Sequence, residues 1–385
     1  MSINRLPVIA HVIHRLNVGG LENGLVNLIN NLPADKYRHT IICLTESTDF
    51  SQRIQRDDVE IYELHKRSGN DVKLYFKLWK LLRKLRPQIV HTRNLSALEA
   101  TVVAALARVP IRIHGEHGRD IYDLDGANKK YQLLRRICSP FINKFITMSK
   151  DLENWLIKEV GISENKVVQL YNGVDTHLFQ TTVKDGVADS LLPQGFANKD
   201  SIIVGTVGRL EPVKDQLTLV KAFNLLLKKN PEWSDRLRLV ILGDGVLRPE
   251  IESLLAEANT RNLVWLAGTR NDVPKLLHYL DIFVLPSLAE GISNTILEAM
   301  ATSLPIIATN VGGNTELVVN ECTGKLVPAS DPDSMAKAIL AYLEQPEVRS
   351  QHGKAGRQRV EDTFSLTGML GRYEVVYDGL LQIRG

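Results

Sequence analysis

The sequence IFVLPSLAEGISNTILEAMA, residues 282–301, holds the local pattern that decides the fold. Its first four residues form an apolar run of strand length, and a glycine-containing turn follows. Ser293 is a suitable N-cap for a helix that runs through Glu298, because its hydroxyl can accept from the first free backbone N–H groups. A strand, a turn and a helix in this order predict one unit of a parallel α/β sheet.

The same alternation of short apolar runs and helix-length segments continues along the whole chain. We predict strands at residues 8–13, 40–44, 59–62, 89–91, 111–113 and 144–148, and again at 202–207, 237–242, 263–266, 282–285, 305–309 and 325–327. Helices such as residues 21–31 and 72–85 lie between them. This alternation indicates mostly parallel sheets with helices on both faces.

Residues 181–200 interrupt the pattern, since they lack periodicity and are rich in Gly, Asp, Pro and Ser. We interpret them as a linker between two doubly wound, Rossmann-like domains of residues 1–180 and 200–364, and we expect a C-terminal helix at about 365–385 to pack back on the first domain. Two facing domains of this kind would place the carboxyl ends of both sheets around a shared cleft, the usual ligand position in such folds.

Composition excludes several classes of protein. The 385 residues are 44% hydrophobic and 24% charged, which is typical of globular chains. No apolar run approaches the length of a spanning helix, no secretory signal is visible, and the three cysteines are far apart, so we expect a cytoplasmic protein without disulfides. Residues 1–178 hold 26 basic and 19 acidic residues, a net +7, whereas the remainder carries −4. The basic half points to an anionic substrate or surface.

Residues in the second half suit a sugar linked to a diphosphate. The helix that begins near Ser293 offers unpaired N–H groups and the positive end of its dipole to a phosphate, through the backbone of Gly291, Ile292, Ser293, Asn294 and Thr295. Glu298 can reach back toward a sugar hydroxyl, since helical side chains slant toward the N-terminus. Glu290, just before the helix, could hold the hydroxyls of a second sugar.

Two cations follow the strand at residues 202–207. Arg209 offers a planar fork of donors and Lys214 a compact charge, a combination that suits a diphosphate. In the first half, Gly19 and Gly20 follow the first strand, where the backbone must turn tightly or approach a ligand. His114 and His117 follow the strand at residues 111–113, and either could donate a hydrogen bond to a sugar hydroxyl.

Glu290 and Glu298, seven residues apart in EGISNTILEAMA, resemble the EX7E motif of the retaining glycosyltransferases of family 4, which have the GT-B fold. The resemblance extends to VGGLE at 18–22, YNGVD at 171–175, VGRLEPVKD at 207–215 and LGDG at 242–245. More narrowly, the chain is similar to sugar transferases of bacterial exopolysaccharide and exosortase systems.

The resemblance implies transfer of a sugar from a nucleotide diphosphate, expected to be UDP, to a glycan or polyprenyl-linked acceptor with retention of configuration. It implies that Arg209 and Lys214 bind the diphosphate and that the Gly20 amide meets it. The EHG string at 116–118 matches the family's functional histidine better than His114 does, so His117 is preferred. His117 and Glu290 are then expected to act in catalysis by orienting the sugar.

We expect no obligatory metal, because the Asp-x-Asp strings at 123–125 and 331–333 read as a loop and a helix cap, and no nucleic acid partner. The nucleotide sugar is a co-substrate. Basic amphipathic segments at residues 72–86 and 128–145 raise the hypothesis of peripheral binding to the anionic inner face of a membrane.

Two other classes share the alternating pattern. A two-lobed solute-binding protein would carry a secretory signal, and a nucleotide-sugar epimerase would need no acceptor. An oxidoreductase would carry the GxGxxG fingerprint, which is absent here.

Overall fold

The computed structural model describes residues 6–69, 71–119, 123–181 and 191–384. These residues divide into two units, one made of Met1–Asn172 with Thr367–Gly385 and the other of Gly173–Leu366. Each unit is built on one parallel sheet with helices on its faces.

The first unit has seven strands, and its interior strands are buried on both faces as a parallel sheet requires. They are β1 (Val8–Ile13), β2 (Arg38–Cys43), β3 (Glu60–Glu63), β4 (Ile89–Arg93), β5 (Ile111–Glu116), β6 (Lys144–Thr147) and β7 (Val167–Gln169). Their order in the sheet is β3-β2-β1-β4-β5-β6-β7, and every pairing is parallel.

Helices α1 (Gly20–Asn31), α2 (Val72–Leu85), α3 (Ala100–Leu106), α4 (Lys129–Cys138) and α5 (Lys150–Trp155) connect these strands. The C-terminal helix, Leu366–Arg384, also belongs to this unit from residue 367 onward. Its Tyr377 is fully buried and its hydroxyl lies 2.9 Å from His91 Nδ1 on β4. Lys36 Nζ pairs with Glu374 at 2.8 Å and with Asp378 at 2.7 Å, which fastens the outer side of the helix.

The second unit has six parallel strands in the order β10-β9-β8-β11-β12-β13. They are β8 (Ile202–Val207), β9 (Leu237–Leu242), β10 (Val264–Gly268), β11 (Ile282–Leu285), β12 (Ile306–Thr309) and β13 (Gly324–Val327). The helices are α6 (Gln216–Lys229), α7 (Arg248–Glu257), α8 (Val273–Leu277), α9 (Asn294–Ala301), α10 (Asn314–Leu317), α11 (Pro332–Glu344) and α12 (Pro346–Thr363). Packing of Leu219, Phe223, Leu239 and Ile339 against one another closes the core on the α6 and α11 side.

The strand order reverses beside the first strand of each sheet, between β1 and β4 and between β8 and β11. Ligands of doubly wound sheets bind outside the carboxyl ends of the strands at such a switch point. The loops after β8 and β11, which carry the cations and the EX7E string, meet there in the second unit.

The α/β fold class is confirmed, and the structure adds two local features that the sequence patterns did not predict. Strand β7 was not predicted, because its three residues are too short to give a periodic signal. The segment 128–145 is not one helix: α4 ends at Cys138, Pro140 lies in a single 3₁₀ turn, and Lys144 begins β6. Proline cannot continue an α-helix, because it lacks the N–H donor. Of the predicted linker, residues 182–190 lie outside the described residues.

Candidate active site

The loop after β8 carries Arg209 and Lys214. It is tied to the loop after β9, since Gly208 N donates to Leu242 O at 2.9 Å and Leu210 N to Asp244 O at 2.9 Å. Buried Gln216 donates from Nε2 to the carbonyl oxygen of Arg209 at 2.9 Å and fixes the loop from the opposite side. A rigid backbone here lets exposed side chains keep a defined position.

The two cations differ in their surroundings. Arg209 is half-exposed, and its Nη1 pairs with Glu211 Oε1 at 2.9 Å. Lys214 ends a 3₁₀ turn, and its Nζ lies 2.5 Å from Glu290 Oε1. The Lys214 side chain is only 24% exposed, so this ion pair is better shielded from solvent than the pair at Arg209.

Glu290 is the centre of the contacts between the loops after β8 and β11. Its side chain is 8% exposed, and Oε1 accepts from both Lys214 Nζ and Ser287 Oγ, the latter at 2.7 Å. A backbone bond of 2.8 Å from Leu288 N to Val213 O joins the same two loops. Gly312, with a φ of 45°, lies so close to the Glu290 carbonyl oxygen that a Cβ atom would clash with it.

A buried polar network supports Glu290 from behind. Ser287 and Thr309 are both fully buried, and Thr309 Oγ1 donates to Ser287 O at 2.5 Å. Asn314, also fully buried, donates from Nδ2 to Thr309 O at 3.1 Å. The sequence analysis missed these three residues. Ser287 and Thr309 are polar side chains at or just after the end of a buried strand, and Asn314 begins the next helix, so each gives only a weak signal.

Helix α9 begins as the sequence predicts. Ser293 is the N-cap, and its Oγ accepts from Ile296 N at 3.3 Å and lies 3.1 Å from Thr295 Oγ1. Ser293 and Ile292 are buried, whereas Gly291, Asn294, Thr295 and Glu298 are partly exposed. The second unit therefore brings Lys214, Glu290 and the start of α9 together, with Arg209 on the same loop as Lys214.

The other predicted residues lie in the first unit. Gly19 is the N-cap of α1 in extended conformation, and Gly20 is the first residue of the helix. Gly19 O accepts from Asn23 N at 2.9 Å, as the first bond of the helix. The two glycines thus form the turn between β1 and α1.

The two candidate histidines differ in their hydrogen bonding. His114 is fully buried, with Nδ1 2.7 Å from Thr92 Oγ1 and Nε2 3.3 Å from Glu116 Oε1. Arg135 holds the same Glu116 through two bonds of 2.6 and 3.1 Å. Burial raises the pKa of Glu116, but the charge of Arg135 and the bond from His114 outweigh it and bring the pKa to about 2. His114 is therefore part of a buried ionic cluster.

His117 is only partly buried, and its backbone N donates to Asn94 Oδ1 at 2.8 Å. Its Nε2 is buried and has no hydrogen-bond partner among the described residues. Burial, followed by the nearby charge of Arg93, lowers the pKa of His117 to about 3. The imidazole is therefore neutral near pH 7.

The two Asp-x-Asp strings have local roles. Asp123 accepts from Asn128 N at 3.0 Å within its loop, and Asp331 caps α11 by accepting from Ser334 N at 2.9 Å. Across the described ranges, no group of three or more His, Cys, Asp or Glu side chains could hold a metal ion. In the same part of the chain, every helix is too short or too polar to cross a membrane.

Comparisons with known proteins agree with this geometry. A family model described as Glycosyltransferase Family 4 matches residues 18–178, and one described as Glycosyl transferases group 1 matches residues 189–359. The chain is 28% identical to the UDP-Gal:alpha-D-GlcNAc-diphosphoundecaprenol alpha-1,3-galactosyltransferase of Escherichia coli, over 96% of each chain. It is 26% identical to the capsular polysaccharide biosynthesis glycosyltransferase CapM of Staphylococcus aureus, over 81% of this chain and 82% of CapM.

Among solved structures, the crystal structure of Anabaena Alr3699/HepE in complex with UDP is similar, with a TM-score of 0.81 and 19% identity over 96% of this chain and 99% of that one. Together the two family models span most of both units, and the fold and the motifs agree with them. The chain belongs to the family 4 glycosyltransferases, which have the GT-B fold.

Proposed function

We propose that this glycosyltransferase moves a sugar from UDP to a polyprenyl-diphosphate-linked or other glycan acceptor, with retention, in bacterial polysaccharide assembly. The observation that carries the proposal is the Lys214–Glu290 pair beside the start of α9, at the switch point of the second sheet. The substrates in the name of the Escherichia coli relative, UDP-Gal and a diphosphoundecaprenol-linked sugar, support the choice of donor and acceptor.

In this proposal residues 200–364 bind the donor and residues 1–180 the acceptor. Lys214, Arg209 and the first N–H groups of α9 hold the diphosphate, because cations and a helix start both favour anionic oxygens. Glu298, one turn into α9, accepts from a hydroxyl beside the phosphate, and Gly20 approaches the phosphate through its amide.

The Lys214–Glu290 pair prepares the site before the donor binds. An ammonium has three donors and Glu290 Oε1 takes one, so two remain for phosphate oxygens. Both bonds that Glu290 accepts within the described residues are at Oε1, which leaves Oε2 for a sugar hydroxyl. Charge that grows on the departing UDP then meets a cation that does not need to reorient.

In the first unit, His117 is proposed to act as a neutral hydrogen-bonding group. Its lowered pKa keeps the ring uncharged, so it orients a sugar hydroxyl through Nε2 rather than acting as a cation. For retention we propose a front-face displacement, in which the leaving phosphate assists deprotonation of the acceptor hydroxyl.

The base of the nucleotide is proposed to contact the loop 268–272. Residues 269–272 of this loop border an open cavity of about 810 Å³ in the second unit, which Lys275, His278 and His177 also line. We expect UDP, but not GDP or ADP, to raise the melting temperature. The melting temperature reports binding, because a ligand stabilises the folded state according to its concentration relative to Kd.

Peripheral membrane binding is proposed for the first unit. Phe76 on α2 and Ile137 on α4 are 56% and 58% exposed, and both helices carry basic residues. Lys80 Nζ lies 4.6 Å from the centre of the Phe76 ring, so charge and apolar surface adjoin. Basic helices with exposed apolar side chains favour anionic lipid surfaces.

The deciding experiment measures UDP release with and without a polyprenyl-diphosphate-linked sugar, and the anomeric configuration of the product by NMR. We expect release that depends on the acceptor and a product with the donor's configuration. UDP-sugar turnover to a different free sugar without acceptor would instead establish an epimerase, and an inverted product would contradict retention.

A further inference from the structure

Arg93 is a buried cation that the proposed donor site does not use. It ends β4, next to β1 at the switch point of the first sheet, and it is 2% exposed. Its Nη1 lies 3.1 Å from His11 Nδ1 and 3.5 Å from the carbonyl oxygen of His91. Nε has no partner, and no carboxylate in the described part of the chain forms an ion pair with this guanidinium.

Two further nitrogen atoms without partners lie in the same region. The Nε2 atoms of His91 and His117 are buried and make no hydrogen bond with any described residue. Both approach Gly115 on β5, where a Cβ atom would lie 2.9 Å from His117 Nε2 and 3.2 Å from His91 Nε2. Glycine at this position therefore lets both rings pack closely against the end of β5.

The surrounding contacts fix the ring of His91 and the backbone of His117. His91 Nδ1 is 2.9 Å from Tyr377 Oη, and the tautomer in which Nδ1 accepts this bond carries its proton on Nε2, as a donor toward Gly115. The His117 backbone is held by Asn94 Oδ1. His117 is partly exposed, so the group reaches solvent at this residue.

The charge of Arg93 lacks a close counter-ion. Burial lowers the pKa values of His91 and His117, so both neighbours are neutral. Burial also lowers the pKa of Arg93, while Tyr377, which hydrogen-bonds to it, and the nearby Tyr373 and Glu22 favour the charged guanidinium without forming an ion pair. A buried charge without a partner is costly, and buried polar atoms left unpaired call for an ion or ligand. Arginine is also the side chain best suited to phosphate oxygens.

We infer that Arg93 and His91 form a binding site for a diphosphate oxyanion at the carboxyl ends of β4 and β5, beside the His117 side chain that is proposed to orient the sugar. The assignment to a diphosphate rests on the proposed function, in which both the donor and a lipid-linked acceptor carry this group. Arg209 and Lys214 already serve the donor, and the net +7 of residues 1–178 favours the acceptor diphosphate here.

The test compares Arg93→Met, which removes the charge at similar volume, with Arg38→Met as a control at an exposed arginine of the same unit. The readouts are the shift in melting temperature caused by inorganic pyrophosphate, by UDP and by a short-chain polyprenyl-diphosphate-linked sugar, and the KM for that acceptor. We expect Arg93→Met to abolish most of the acceptor-induced shift and to raise the acceptor KM at least about tenfold. UDP-induced shifts and the Arg38→Met variant should match the wild type.

Stability without ligand separates binding from structure. If Arg93 serves ligand binding although its buried charge destabilises the fold, the Arg93→Met protein should melt at or above the wild-type temperature. A lower melting temperature together with wild-type responses to all three ligands would overturn the inference. Loss of the UDP response alone would keep the oxyanion site but assign it to the donor.

A second variant covers the case in which Arg93→Met does not fold. Gly115→Ala leaves Arg93 in place, but its methyl group would displace the adjacent imidazoles, so it should weaken the same ligand response. A wild-type response of Gly115→Ala to the acceptor and to pyrophosphate would refute the site. Because these readouts measure binding, they remain decisive even if no sugar transfer is found, which would refute the proposed function alone.

Discussion

Replacing Glu290 by glutamine tests whether the Lys214–Glu290 pair acts as one catalytic unit. Gln keeps the shape and can still accept from Ser287, but it removes the charge that holds Lys214 at 2.5 Å. Loss of one preoriented electrostatic contact costs about 3 to 4 kcal/mol of transition-state stabilisation, or roughly 10² to 10³ in kcat. We expect a decrease of this size in acceptor-dependent UDP release at saturating donor.

The Lys214→Met variant and the double variant decide between cooperation and independence. If the two residues act as a unit, the double variant should be about as slow as either single variant, since such effects are not additive. Multiplied effects, with a combined decrease near 10⁵, would refute the reasoning. Ser287→Ala removes one of the two bonds to Oε1 and should cost about 1 kcal/mol, or roughly fivefold.

A pair outside the site provides the matched control. Lys325 Nζ and Glu321 lie 2.8 Å apart in the same unit, but Glu321 is 61% exposed. Exposed pairs contribute about 0 to 1 kcal/mol, so Glu321→Gln should leave both activity and melting temperature nearly unchanged. A loss of activity in this control would point to a general effect of charge on the unit.

Three further predictions concern other residues. Arg209→Met should raise the KM for the UDP-sugar about tenfold with a smaller change in kcat, which steady-state kinetics would detect. Glu116→Gln should lower the free energy of unfolding at pH 7 by about 3 kcal/mol, because the pKa of Glu116 is depressed to about 2 in the folded state. The stabilisation by the ionised carboxylate is complete above the unfolded pKa and is lost as the pH falls from about 4.5 to about 2. Denaturation curves of the variant and the wild type should therefore converge in acid. Phe76→Ser with Ile137→Ser should reduce flotation with anionic vesicles and leave activity on a short-chain acceptor intact; equal flotation of variant and wild type would contradict the membrane proposal.

Local patterns were sufficient for much of the fold. The run Ile282–Leu285 and the cap at Ser293 depend on neighbouring residues, so periodicity and capping chemistry predict them directly. The amphipathic pattern did not indicate the end of α4 at Cys138, because basic and apolar residues continue past the proline that stops the helix.

The contacts within the site depend on tertiary structure. Lys214 and Glu290 are 76 positions apart in the sequence, and their pairing follows from the adjacency of β8 and β11. Arg93 comes beside Gly115 because β4 and β5 are in register there, which no local pattern reports. Sequence reasoning could therefore nominate residues that suit phosphate chemistry, but not the ones that hold or face them.

The packing of the C-terminal helix has a consequence for synthesis on the ribosome. Tyr377 is fully buried against His91, so the first sheet lacks part of its cover until the last residues have emerged. The second unit is continuous from Gly173 to Leu366 and can fold as soon as it is made, although domains usually fold in order from the N-terminus. The nascent first unit is thus expected to expose an apolar and histidine-rich sheet face until the helix Leu366–Arg384 has been made, which makes it a substrate for chaperones.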